Sequence, residues 1–257
     1  MNIEELEKLF KSREIYSRAR IDTKFLLVRC DGRNFRKLAK QLRLERFDKR
    51  FHEALVIAAE KLMKTSGFDI RLSHIVSDEV SFLFHDIPFN GRVEKIDSVT
   101  SSLLASLLTI ELANRFKFQE GVAFDARVIK ILNIEEIAKY IYWRQSDAYR
   151  NFLNTWAYEA LRRKGFSPRR IAKMLEGMKS DKLRELIEDT FGPLENFPDW
   201  QKYGTIIYVD WVRRKALNKR TGVETFVERR KYRKKTMKHY DEILDCIRVA
   251  LRTRHTT

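Results

Sequence analysis

Two aspartates carry the most chemistry in this 257-residue chain. Asp31 ends the apolar run Phe25-Leu26-Leu27-Val28-Arg29-Cys30-Asp31 and leads into Gly32-Arg33-Asn34-Phe35. Asp78 sits in Val76-Ser77-Asp78-Glu79-Val80, a tight-turn sequence with strand-like residues on both sides. Carboxylates are hard oxygen donors, and two of them beside a glycine-containing turn can hold magnesium against a nucleotide triphosphate. Gly32 lets the backbone approach a ligand closely, and its carbonyl can join the carboxylates as a ligand. The amides of Arg33, Asn34, Phe35 and Arg36 can cradle phosphates, above all if a helix starts there. Each signal alone is ordinary turn chemistry, because Asp-Gly after a strand and Ser-Asp-Glu in a hairpin are common. Together they favour a metal site.

The surrounding periodicity supplies the elements that must bring the pair together. Residues 3–19 read as an amphipathic leading helix, and 25–31 as a buried strand. Residues 49–66 carry Phe51, Ala54, Leu55, Ala58 and Leu62 at helical spacing, closed by Gly67. Alternation in Ile70, Leu72, His74, Val76 and in Val80, Phe82, Phe84 predicts two strands around Ser77-Asp78. A helix over about 93–117 and a strand over about 122–131 complete a β-α-β-β-α-β order, the ferredoxin-like pattern of an α+β fold. Right-handed crossovers then lay the third strand antiparallel beside the first. Topology alone thus makes neighbours of Asp31 and Asp78, 47 residues apart. Strand alternation predicts that Glu79 faces away from Asp78.

Charge points to the partner. Lys+Arg outnumber Asp+Glu by 52 to 36, a net +16 that favours a polyanion such as nucleic acid or an anionic membrane. No apolar run is read as long enough to span a membrane, and the N-terminus reads as a charged helix rather than a secretion signal. No membrane partner is therefore expected. Cys30 and Cys246 are too few for a disulfide framework or a zinc cluster, which suits a reducing cytosol and a cytoplasmic location. Residues 213–238 hold twelve Lys/Arg against two Glu, with Trp211, Phe226 and Tyr232 interleaved. Lys219-Arg220-Thr221-Gly222 suggests the tip of a β-hairpin arm. The one-sided excess, shared with Arg162-Arg163-Lys164 and Arg169-Arg170, favours contact with an RNA backbone over a merely solvated face. Arg229, Arg230 and Lys231 are the expected contacts. His74 and Cys30 read as core residues, as does at least one of Trp143 and Trp156. The organisation expected is a palm over 1–133, with a helical and basic RNA-engaging region over 134–257 packed closely on it.

Several segments also carry a family likeness. Leu27-Val28-Arg29-Cys30-Asp31-Gly32-Arg33-Asn34-Phe35 resembles the start of the tRNA-His guanylyltransferase family, polymerases that extend RNA in the 3′–5′ direction. Ser77-Asp78-Glu79-Val80-Ser81-Phe82 resembles its second acidic motif, and Phe124-Asp125-Ala126-Arg127-Val128 its last palm strand. Trp143-Arg144-Gln145-Ser146-Asp147, Asn154-Thr155, Ser180-Asp181-Lys182 and Tyr203-Gly204-Thr205-Ile206-Ile207 follow in order, so the likeness spans about 25–210. The resemblance implies a polymerase-like palm with two Mg²⁺ ions, held by Asp31, Asp78 and the Gly32 carbonyl. It implies nucleotide contacts from residues 31–36, Ser77 and Asp78. It implies phosphate or RNA contacts from Arg29, Arg127, Asn154 and Lys182. ATP, GTP and tRNA are the implied substrates, and a homotetramer the implied assembly. ATP would activate the RNA 5′-phosphate by adenylylation, and the GTP 3′-hydroxyl would then attack as AMP leaves.

Where eukaryotic members carry His-Ile-Asn-Asn after their Arg-Gln-Ala-Asp motif, this chain reads Asp147-Ala148-Tyr149-Arg150-Asn151-Phe152-Leu153-Asn154. The histidine is missing and the segment is one residue shorter. That is similar to the archaeal and bacterial-type branch, which copies a template base and repairs truncated tRNA 5′-ends. Two other readings use the same palm: a nucleotide cyclase-like enzyme and a non-catalytic RNA-binding protein. The basic second half argues against the first, and retention of both aspartates against the second.

Overall fold

The computed structural model describes residues 2–217 and 224–253. Helix α1 (Ile3–Arg13) starts from a capping box between Asn2 and Glu5. It buries none of its residues and ends at Arg13, with Glu14 extended, rather than running to residue 19. Among the described residues no partner face covers this short helix, so nothing there extends it over Ile15 and Tyr16, and both are exposed. Then come β1 (Phe25–Gly32), α2 (Phe35–Gln41), α3 (Lys49–Thr65), β2 (Ile70–Val76) and β3 (Glu79–Phe84). Helix α4 (Val93–Phe116) and β4 (Phe124–Ile131) finish the first half. The second half runs α5 (Ile134–Arg163), α6 (Pro168–Leu175), α7 (Ser180–Phe191), α8 (Asp199–Tyr203), β5 (Thr205–Leu217), β6 (Glu224–Lys235) and α9 (Tyr240–Leu251).

The sheet order is β4-β1-β3-β2-β5-β6, with every neighbouring pair antiparallel. Its first four strands have the order that the β-α-β-β-α-β reading requires. The last two come from the second half of the chain, because β5 adds to β2 through pairs from Leu72–Tyr208 to Ile75–Thr205. The region read as packed on the palm is therefore also continuous with the palm's sheet. The expected tip at residues 219–222 lies outside the described residues.

Alternation along the strands feeds two cores. Leu26, Val28, Cys30, Val80, Phe82 and Phe84 pack under α3 and α4. Phe25, Leu27, Leu72 and Leu83 pack under α5 and α9, against Ile137, Ile141, Ile243 and Ile247. A third cluster joins the far half of α5 (Phe152, Leu153, Ala157) to Leu183 and Ile187 of α7. One expectation needs correction here. Helix α4 is long and apolar enough by composition to cross a membrane. Its Ile96, Leu104, Leu108 and Leu112 stripe is instead spent on the core beneath α3.

Candidate functional site

The antiparallel pairing of β1 and β3 sets Asp31 opposite Glu79, with Asp78 one residue earlier in the β2–β3 turn. The Gly32 amide donates to the Asp78 carbonyl at 3.1 Å, which staples the two acidic turns together. Ser77 makes that turn in a left-handed conformation (φ 54°), a position costly for a residue with a side chain and one that its surroundings must hold. Gly32 has a packing reason as well. A Cβ there would lie 1.8 Å from the Phe35 ring, which is buried edge-on against Phe51 and Phe124.

Electrostatics singles out Asp78 at this edge. Burial, reinforced by the nearby Asp31, raises the Asp78 carboxyl above its ordinary range. Its own amide and the Ser77 hydroxyl oppose that rise. Among the described residues Asp78 has no ion-pair partner. Asp31, which is 41% exposed at its side chain, has Arg127 at 3.7 Å, and Arg127 lies 3.4 Å from Asp125. Two oxygen-donor groups, one partly buried and uncompensated, suit a hard divalent cation.

The one triad of described acidic and imidazole groups close enough to grip a metal is Asp69, His85 and Asp86, at the other end of the β2–β3 pair. Asp69 accepts from Arg71 through both oxygens (2.8 and 2.9 Å) and also pairs with Arg230 at 2.8 Å. Guanidinium groups already fill the role a metal would take there.

The 31–36 segment divides its work differently from the expectation. The Arg33 amide is used by the Ala123 carbonyl at 2.9 Å, so it is not free for a phosphate. Asn34 is left-handed (φ 61°) and α2 begins at Phe35. Its first-turn amides at Phe35 and Arg36 have no helical acceptor, whereas the Phe35 ring belongs to the core. An open depression of about 270 Å³ adjoins this turn, lined by Arg33, Asn34, Lys37, Gln41 and part of segment 118–123. A larger one, about 370 Å³, lies between residues 195–203 and Lys238, away from Asp31, Asp78 and the 31–36 turn.

The expected RNA contacts fall into separate places. Arg29 is largely buried, 3.8 Å from Glu79, and belongs to the interior of the acidic edge rather than to an RNA surface. Arg127 stands at that edge. Asn154 is exposed on α5, its amide donating to the Arg150 carbonyl at 3.0 Å. Lys182 is exposed in the first turn of α7. The helical rise puts Asn154 about 15 Å along α5 from Arg144, so these two belong to the α5–α7 lobe. Arg229 and Lys231 share one exposed face of β6 and have no ion-pair partner among the described residues. Arg230 points the other way, to Asp69 and the Trp211 ring 5.2 Å away. It therefore acts within the fold rather than on that open face.

Sequence reasoning underrated Glu79. It is buried, and both of its oxygens accept from Arg144 at 2.8 Å. Burial raises its carboxyl and Arg144 opposes the rise. The signal was available in the strand register, which sets Glu79 opposite Asp31. His74 is buried and bonded to the Tyr203 carbonyl at 3.0 Å, a packing role as expected.

Two family models together cover most of the chain. The one described as tRNAHis guanylyltransferase matches residues 7–132, and the one described as Thg1 C terminal domain matches 135–248. The tRNA(His) guanylyltransferase of Schizosaccharomyces pombe is 27% identical over 195 residues, 74% of this chain and 73% of that protein. The solved structure of tRNA(His) guanylyltransferase from Saccharomyces cerevisiae superposes with a TM-score of 0.69 at 24% identity, covering 77% of this chain and 91% of that one. A bacterial guanylyltransferase-like protein in complex with ATP gives 0.67 at 21% identity, over 81% of this chain and 87% of that one. The same kind of protein in complex with GTP gives 0.66 at 19%, over 95% and 99%. These structural likenesses establish the palm-like fold.

Proposed function

This chain belongs to the tRNA(His) guanylyltransferase family of nucleotidyltransferases, and we propose that it adds guanylate to the 5′ end of tRNA in a Mg²⁺-dependent reaction. The observation that carries the reading is the joining of Asp31 and Asp78 across the Gly32–Asp78 backbone bond, with no ion pair to Asp78 among the described residues. The two carboxylates and the Gly32 carbonyl would hold two Mg²⁺ ions, which when bound neutralise phosphate charge and activate an attacking hydroxyl. Arg127, half-exposed beside Asp31, offers a guanidinium to a triphosphate. The free amides of Phe35 and Arg36 offer hydrogen bonds to another phosphate oxygen. The related bacterial protein held with ATP and with GTP supports both nucleotides as substrates.

In the proposed sequence the RNA 5′-phosphate attacks the ATP α-phosphorus and pyrophosphate leaves. The GTP 3′-hydroxyl then attacks the same 5′-phosphate and AMP leaves. Phosphoryl transfer asks for charge neutralisation and in-line placement, so carboxylates and guanidiniums suffice without a side-chain nucleophile.

Incubation of the chain with 5′-labelled tRNA-His, Mg²⁺, ATP and GTP should yield first an adenylylated end and then a product one G longer. Cyclised free nucleotide would favour the cyclase reading, and tRNA binding with no product the non-catalytic one. The altered 147–154 segment supports a template-copying enzyme. G should then be added opposite C, and a different tRNA lacking its first nucleotide should be refilled. Efficient addition opposite A with no refilling would favour dedicated tRNA-His selection. Assembly as a homotetramer belongs to the same proposal, and sedimentation as four copies checks it.

A further inference from the structure

Glu79 and Arg144 form a device beside the acidic edge that the reaction above does not use. Glu79 is the first residue of β3, so the direction of its side chain fixes the backbone that follows Asp78. Arg144 on α5 holds that side chain with a two-pronged grip, Nε to Oε1 and Nη2 to Oε2, each at 2.8 Å. Its remaining nitrogen Nη1 donates to Asp147 at 2.6 Å, and Asp147 in turn accepts from Arg150. Arg29 brings a second positive charge within 3.8 Å of Glu79, but its Nε makes no hydrogen bond, so it gives charge without direction. The next residue on α5, Gln145, donates to the Met237 carbonyl at 2.9 Å, which ties the same helical turn to the far side of the fold.

The β2–β3 turn needs such support. Ser77 is left-handed, and Asp78 stays partly buried beside a like charge. Both features raise the free energy of the productive turn relative to relaxed alternatives. The Gly32–Asp78 bond restrains it from the β1 side. We infer that Arg144 is a positioning residue for the metal edge: its fork on Glu79, fixed from behind by Asp147, holds Asp78 where it shares a cation with Asp31. The inference rests on the metal reading of Asp31 and Asp78.

Lysine at position 144 keeps the charge but cannot fill both carboxylate oxygens and Asp147 from one planar group. Mn²⁺ binding in the presence of GTP, followed by electron paramagnetic resonance, tests the point without turnover. Arg144→Lys should weaken Mn²⁺ binding roughly ten- to a hundredfold, the usual effect of losing a group that orients a ligand. It should also raise the Mg²⁺ needed for nucleotide addition, while melting close to the parent. Asp147→Asn, which releases the back of the fork and keeps its shape, should shift both readouts in the same direction by less. Arg144→Gln should be the most severe, and the lysine variant should recover part of its loss. A purely structural role predicts lower melting temperatures with unchanged Mn²⁺ affinity in the folded variants. Parent-like Mn²⁺ affinity in both Arg144→Lys and Asp147→Asn overturns the inference. A parent protein that binds no Mn²⁺ with GTP overturns the metal reading itself.

Discussion

Burial, with the Asp31 charge added, raises the Asp78 carboxyl, so the folded chain holds that proton more tightly than the unfolded chain. The protonated group therefore contributes stability that is complete below the ordinary value of 3.8 and is lost as pH rises through the folded value. At neutral pH without metal, Asp78 is ionised at a cost to the fold. Asp78→Asn should thus melt above the parent at pH 7 in a chelator, and the gap should close as pH falls towards 3.8. The same substitution, or Asp31→Ala, should remove nearly all nucleotide addition. A thermal-shift series over pH beside a tRNA extension assay checks both halves, and an Asp78→Asn protein that melts below the parent at pH 7 contradicts the electrostatic account. Gly32 acts through space rather than charge. Gly32→Ala forces a Cβ to within 1.8 Å of the Phe35 ring, and overpacking of this kind costs about 1–3 kcal/mol. Chemical denaturation should show that loss even in a variant already lacking Asp78, because the clash lies in the core beneath the turn.

The hairpin β5–β6 shows what a charge run hides until its strands are paired. Arg229, Arg230 and Lys231 are one cluster in the sequence, but alternation sends Arg230 towards Asp69 and Trp211 and leaves the other two outside. Arg229→Ala with Lys231→Ala should therefore weaken tRNA binding and lower the log–log salt slope by roughly two, near one per lost phosphate contact. Arg230→Ala should leave that slope nearly alone and lower the melting temperature instead. Binding isotherms at several salt concentrations separate the two, and a slope that drops only with Arg230 would reverse the face assignment. Strands β1 to β4, α3 and α4 were legible because long apolar periods and a tight turn fix both type and order, and the meeting of Asp31 with Asp78 followed from that order. The length of α1 was not legible, since an amphipathic pattern does not reveal whether anything covers it. Nor was the inward placement of Arg29 and Phe35. A motif names residue types, whereas burial depends on which helix lands above them.

At the scale of the molecule, the two halves share one sheet and two cores, and Phe47 of the first half packs into the third. Strand β5 covers the edge of β2, and α5 with α9 covers the face that carries Phe25, Leu27, Leu72 and Leu83. The seam is also where two histidines are kept neutral. His52 stacks on Trp200 at 4.3 Å and bonds the Thr205 hydroxyl at 2.8 Å, and His74 bonds the Tyr203 carbonyl at 3.0 Å. Burial lowers both imidazoles from 6.5 to about 4. Between those values the unfolded chain binds protons that the folded chain refuses, so this part of the stability is present above pH 6.5 and is lost as pH falls towards 4. The family models divide at residues 132 and 135, yet the packing crosses that line. A fragment of residues 1–133 would expose the β2 edge and an entire apolar sheet face, so it should aggregate or remain unfolded. The intact chain should instead unfold in one cooperative step by calorimetry and by tryptophan fluorescence, with the midpoint falling between pH 6.5 and 4. All four tryptophans lie at position 143 or beyond, so fluorescence reports on the second half and far-ultraviolet circular dichroism on the whole. Coincident transitions mean that the halves fold as a unit. A soluble, folded 1–133 fragment, or fluorescence that changes well before the dichroism, would instead make the palm an independent domain with the basic half as a detachable partner.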